Sequence, residues 1–387
     1  MSDAPHPALL PSGMQDLLPP EAEIEAAVVA QLMARLTAHG YERVKPPLVE
    51  FEETLFAGAG AAMATSTFRM MDPVSHRMIG LRADLTPQIA RIAATRLGHA
   101  PRPLRLSYAG QVLRVKGSEI RPERQIGQVG GELIGAAAPA ADVEAIAVAG
   151  EALAALGVSG LSVDITLPTL VPAIAVAYDI DGPRAAALRN ALDHKDAAAV
   201  AAVAREAGDL FSRLLAAAGP AAAALAALDR LDLPVQARAE CQQLGAVLDG
   251  LAAAAPLLKV TVDPIENRGF EYHTGISFTF FAGGAAVRGP LGELGRGGRY
   301  QAGDPAAPEP ATGFTLYTDT ILQALPVPRP PSRVLLPLGA DRTRAAALRE
   351  AGWVTLAALE TGDDWRREAR RQGCSHVLEG EIPVAVG

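Results

Sequence analysis

The chain has 387 residues, 49% hydrophobic and 20% charged, and its 35 Lys plus Arg against 43 Asp plus Glu give a formal charge of −8. That length holds about two or three compact units, the composition excludes a disordered chain, and no run reaches the roughly eighteen apolar residues of a membrane span. The acidic balance argues against broad nucleic-acid binding, and Cys241 and Cys374 lie too far apart in sequence to suggest a metal knuckle or a disulfide framework.

The first residues, MSDAPHPALLPSG, lack a basic region followed by an apolar stretch, so no signal peptide is expected and the chain reads as cytoplasmic. Over 21–39, Ile24, Val28, Leu32 and Leu36 recur at steps of four, one face of an amphipathic helix, and Gly40 supplies its stop. YERVKPPLVEF follows as an extended edge marked by Pro47. Thr86 followed by Pro87 opens a helix through TPQIARIAATRL. Residues 104–135 read as two strands, LRLSYAGQVLRV and IGQVGGELIG, around the polar connection GSEIRPERQ, and residues 141–156 read as an alanine-rich helix. From about 168 to 256 the periodic leucines in an alanine-rich background predict a small helical insertion.

Strand character returns in KVTVDPIENRGFEYHTGISFTFFA, followed by GELGRGGRY, read as a glycine-rich turn, and ATGFTLYTDTILQAL, a strand running into a helix. PVPRPPS at 326–332 is a proline-rich linker, and residues 333–387 carry the alternation of a short β-α-β-α-β unit.

Several stretches, in this order and spacing, carry a resemblance: GMQDLLPPE, GYERVKPPLVE, LRADLTPQIAR, LSYAGQVLR, RQIGQVGGELIG, RGFEYHTG, GGRY and ATGF. Together they resemble the class II aminoacyl-tRNA synthetase core, and RGFEYHTG resembles the histidine-specific motif of the histidyl enzymes. The fold implied is α+β over 1–325, an antiparallel sheet flanked by helices, with the helical insertion and a short C-terminal α/β unit.

An amino acid needs acceptors for its ammonium, a cation for its carboxylate and, for histidine, directional partners for the imidazole. The resemblance implies that Asp84, Thr86 and Gln128 take the ammonium, Glu132 the imidazole, and Arg268 the carboxylate and α-phosphate. Tyr272 and His273 stand where the family has paired tyrosines. By residue pattern alone, Asp84 and Thr86 also fit a helix start, and Gln128 and Glu132, four apart in a strand, share one face. Tyr272 alternates with Phe270, Ile276 and Phe278 as core would, whereas His273 shares a face with Glu271, Ser277 and Thr279.

On the nucleotide side, Arg114 matches the arginine of the family's second motif and completes the histidine-binding set. Lys116 replaces the glutamate two residues on, and Thr320 replaces the ATP-clamping arginine after Gly313-Phe314. A hydroxyl cannot substitute for a guanidinium that stacks on a base and pairs with phosphate. Arg121 and Arg124, in the hairpin connection, fit an anion site or a solvated loop. From Pro326 onward nine Arg face eight Asp or Glu, a poor platform for tRNA.

A histidyl-type core without these groups is similar to the family's non-catalytic paralogues, the regulatory subunits of ATP phosphoribosyltransferase. The resemblance implies a subunit that activates the short-form catalytic subunit at the first step of histidine biosynthesis and is needed for feedback inhibition by histidine. It further implies a hetero-oligomer, specifically a hetero-octamer, homodimerisation through the first class II motif, and histidine as effector. No catalytic residues, cofactor, metal, tRNA or membrane belong to that expectation. An active histidine–tRNA ligase and a free-standing histidine-binding scaffold stand as alternatives.

Overall fold

The first helix, Glu21–Ala38, buries Val28, Leu32, Met33 and Leu36, so its apolar spacing becomes a packed face. The chain then reverses at Gly40, whose φ of 80° suits a residue without a side chain. These elements come from a computed structural model, which describes residues 9–117, 121–266, 272–283, 292–304, 306–326 and 331–387. Two compact units divide it, Met1–Pro326 and Val327–Gly387.

In the first unit, nine strands among the described residues form one sheet. Its centre is antiparallel: Leu104–Leu113, Gln125–Ile134, Ala307–Tyr317, Glu293–Asp304 and His273–Phe281 lie side by side in that order. Beyond His273–Phe281 come Ser162–Thr166, Lys259–Asp263 and the two-residue strand Gly219–Pro220, while Glu42–Arg43 pairs in parallel with the far edge. One face packs on the helices Glu21–Ala38 and Pro139–Ala155 through residues such as Val129, Phe278 and Phe314. The other carries Leu106, Tyr108, Tyr300 and Tyr317, packed with Leu85 and Ile89 at the start of the helix Thr86–Thr95. That second face bears the site.

Three expectations need correction. YERVKPPLVEF is not one strand: Glu42–Arg43 and Val49–Phe51 join different sheets on either side of the prolines. Proline removes ladder donors, and the Pro46 and Pro47 carbonyls instead accept from Arg82 (Nη1, 3.1 Å) and Gln88 (Nε2, 2.9 Å). GELGRGGRY is not a turn but part of the strand Glu293–Asp304, paired on both sides. Its glycines answer to crowding: a Cβ on Gly297 would come within 2.5 Å of the Phe278 ring, and one on Gly298 within 2.7 Å of His273. The insertion is also not purely helical. Between its helices, Gly219–Pro220 pairs with Thr261 and Val262, hanging the helices from the sheet edge.

The second unit has strands Arg333–Leu336, Val354–Ala357 and His376–Glu379 in parallel, with helices Arg342–Glu350 and Trp365–Arg371. A further strand, Ile382–Ala385, adds antiparallel to His376–Glu379. Cys241 and Cys374 are buried free thiols. Among the described residues no helix is long and apolar enough to cross a membrane, and no His, Cys, Asp or Glu cluster suits a metal ion.

Candidate amino-acid-binding site

Gln128 and Glu132 project from the same face of the strand Gln125–Ile134, both 1% exposed, beneath the start of the helix Thr86–Thr95. Asp84 Oδ1 accepts the Thr86 N–H at 2.9 Å, and Asp84 Oδ2 accepts from Gln128 Nε2 at 3.0 Å. Gln128 Oε1 in turn accepts the Leu85 N–H at 3.1 Å. Asp84 therefore serves the helix start and also faces the cavity, because Gln128 fixes its carboxylate from behind.

Three hydroxyls converge on Glu132. Thr86 Oγ1 donates to Oε1 at 3.0 Å, Tyr108 to the same oxygen at 3.3 Å, and Tyr300 to Oε2 at 2.9 Å. Burial pushes the Glu132 carboxyl up to about 8; the hydroxyl donors pull it down and the Asp84 charge adds to the rise. Glu132 Oε2 occupies the space over Gly313, its partner on the adjacent strand: a Cβ there would be 1.7 Å from it.

Asp84, Thr86, Glu132 and Tyr300 line a small pocket open to solvent, with Tyr272, His273 and Thr315 on its wall; Gln128 and Tyr108 stand behind it and do not line it. Here the expected parity of Tyr272 fails. The pairing of His273–Phe281 with Glu293–Asp304 shifts register between His273 and Ser277, so Tyr272 does not follow Ile276 and Phe278 onto the helix-packed face. It packs edge-on against Tyr300 on the cavity side, ring centroids 6.0 Å apart at 88°. His273 lies tilted against Tyr272 with centroids 4.7 Å apart, so two consecutive rings face one cavity.

Arg114 is not in this cavity. It donates from Nε to the Ala83 carbonyl at 3.4 Å and lines an adjoining open hollow with Lys116, Arg121, Asp319 and Thr320. Thr320 Oγ1 is turned to main chain, donating to the Glu293 carbonyl at 2.8 Å. Arg121 binds Asp319 (Nη2–Oδ2, 2.6 Å) and lies over the Tyr317 ring at 4.2 Å, so it is neither a solvated loop residue nor an open anion site. Arg124 donates to the carbonyls of Arg114 and Ser12. Arg268 lies outside the described residues. Tyr108, Tyr300, Thr315 and Arg296 belong to the site but were not singled out from sequence; the GGRY stretch was the signal for Tyr300.

The Histidyl-tRNA synthetase family model matches residues 13–321. The chain is 57% identical to the ATP phosphoribosyltransferase regulatory subunit of Rhodospirillum centenum, over 97% of this chain and 96% of that protein. It is 50% identical to the subunit of the same name from Rhodospirillum rubrum, over 98% and 97%. Among solved structures, an ATP phosphoribosyltransferase regulatory subunit/histidyl-tRNA synthetase from Bacillus halodurans superposes with a TM-score of 0.79 at 24% identity, covering 97% and 98% of the two chains. Histidyl-tRNA synthetase from Nostoc sp. PCC 7120 gives 0.77 at 19%, covering 96% and 91%; at such identities the likeness shows the fold. The matched synthetase core, together with half or more identity over nearly the full length, leads to one assignment: the chain belongs to the ATP phosphoribosyltransferase regulatory subunits, a family built on the histidyl-tRNA synthetase fold.

Proposed function

We propose that this chain is a cytoplasmic, non-catalytic regulatory subunit that docks on short-form ATP phosphoribosyltransferase, raises its turnover, and carries feedback inhibition by histidine at the first step of histidine biosynthesis. One observation supports the reading: a pocket that gathers Asp84, Thr86 and Glu132, beside a hollow where Thr320, at the family's clamping position, is spent on a backbone carbonyl. In the cavity the ammonium goes to Asp84 and Thr86, with Gln128 as brace. The imidazole goes to Glu132 and His273. A carboxyl with a pKa of about 8 holds its proton near neutral pH, so it can donate a hydrogen bond to an unprotonated imidazole nitrogen without leaving a buried charge.

Regulation then requires histidine to bind the inactive arrangement of the assembly more tightly than the active one. A coupling of about 1–3 kcal/mol gives roughly five- to 150-fold control. The subunits assemble as a hetero-octamer in which this chain forms homodimers through the helix Glu21–Ala38 and the segment after it. Light scattering at micromolar concentration should give a dimeric mass, and a monomer refutes that part. The decisive test titrates the chain into the catalytic subunit at fixed substrate, with and without histidine. Turnover should rise and then fall on adding histidine. No change at saturation, with the complex demonstrably formed, defeats the regulatory reading.

A further inference from the structure

We infer that Arg296 is the cation that receives the ligand's carboxylate in this cavity, a role that rests on the amino-acid-binding reading above and adds to the one the resemblance gives Arg268. Arg296 lies on the strand Glu293–Asp304, two and four residues from Gly298 and Tyr300, so alternation puts all three on the cavity face. It lines both the pocket and the adjoining hollow, at the boundary between them. Its side chain is 29% exposed and is held in a fork by both carboxylate oxygens of Glu293. Burial holds the Tyr272 and Tyr317 phenols protonated, and the Arg296 charge opposes that rise, so the guanidinium is within electrostatic reach of two rings of the cavity wall.

The registers place the charges in the order an amino acid needs. Gln128, which braces Asp84, is opposite Tyr317; Arg296 is opposite Thr315; Glu132 is opposite Gly313. Ammonium and carboxylate sites are thus adjacent steps along the sheet, and the imidazole site is one step further. With about 3.3 Å per residue and about 4.8 Å between strands, the Cα atoms of Arg296 and Glu132 lie roughly 12 Å apart across Ala307–Tyr317. Side chains reaching inward from those two corners leave the span of one small amino acid. A guanidinium carries five donors in a planar fork, so it can hold Glu293 and a ligand carboxylate together. Glu293 keeps that charge paired.

The test is calorimetry on the full chain, alone and assembled with its catalytic partner, using histidine and histamine, which lacks the carboxylate. The intact protein should prefer histidine by at least about tenfold. Arg296→Met should weaken histidine roughly ten- to a hundredfold and leave histamine within about twofold, and Arg296→Lys should recover part of the loss. Retained histamine binding shows that the variant is folded; should Met fail to fold, Arg296→Gln takes its place. Unchanged histidine affinity overturns the inference, and so does an equal loss for both ligands. If the intact protein binds neither ligand, or Glu132→Gln binds histidine as tightly as the parent, the amino-acid-binding reading has failed and this inference falls with it.

Discussion

Replacing Glu132 by glutamine isolates the cost of a buried carboxylate. Burial pushes the parent carboxyl from its ordinary 4.5 up to about 8 in the folded chain. A raised folded-state pKa means that the folded state binds the extra proton between those values. Stability from this group is therefore complete below pH 4.5 and is lost as pH rises toward 8. At about 1.4 kcal/mol per pH unit, the loss is on the order of 3 kcal/mol by pH 7 and 4–5 kcal/mol above pH 8, upper values because local water entry relaxes the penalty. Glutamine carries no such charge, and the hydroxyls of Thr86, Tyr108 and Tyr300 can reorient around its amide. Near pH 4.5 the two proteins should be of similar stability; by pH 8 the variant should be more stable by at least 1–2 kcal/mol, on the order of a third of that limit. Urea unfolding followed by far-UV circular dichroism measures this. Tryptophan fluorescence does not, because Trp353 and Trp365 both lie in the second unit. Parallel stability curves for the two proteins from pH 5 to 8.5 would refute the argument.

Three further outcomes follow from the same geometry. The chain should give no histidine-dependent pyrophosphate exchange, since losing one strong transition-state contact costs on the order of a hundredfold or more, and Thr320 holds the clamping position; exchange above background contradicts this. Gly313→Ala should drive a methyl into the Glu132 carboxyl, weakening histidine at least about tenfold and destabilising the fold by about 1–3 kcal/mol; calorimetry and urea unfolding read both. Arg299→Met should cost about 3–5 kcal/mol, because it strands Asp142, paired at 2.7 Å with side chains only 10% and 6% exposed. It also releases the Ala136 and Ala138 carbonyls before the helix Pro139–Ala155. A cost below about 1 kcal/mol in urea would show that the pair is dispensable.

Much of this site was legible because its strands are regular. Gln125–Ile134 pairs without interruption on both sides, so residues four apart must share a face, and Gln128 and Glu132 do. The helix Glu21–Ala38 was legible for the same reason at a period of 3.6. The donors to Glu132 were harder to read: Tyr108 and Tyr300 are 24 and 168 residues away in sequence, and neither LSYAGQVLR nor GGRY by itself records that its tyrosine aims a hydroxyl there. Glycine misled in GELGRGGRY, because crowding between strands and turn formation call for the same residue.

The failure at Tyr272 follows from a different rule, and it bears on function. Alternation predicts one ring toward the cavity and one away; the register shift after His273 turns both toward it. A buried carboxyl held near pKa 8 beside Asp84 is likewise a poor choice for a core, where an apolar side chain of similar size would carry no charge penalty. Two local rules are thus broken on one sheet face, on strands separated by two others, and both irregularities point into the same pocket. Tyr272 still packs against Tyr300, and Thr320, at the position where the resemblance places the ATP clamp, donates to the Glu293 carbonyl. On the function proposed above, an aromatic pair beside a proton-bearing carboxyl suits a flat ring that offers a hydrogen-bond acceptor.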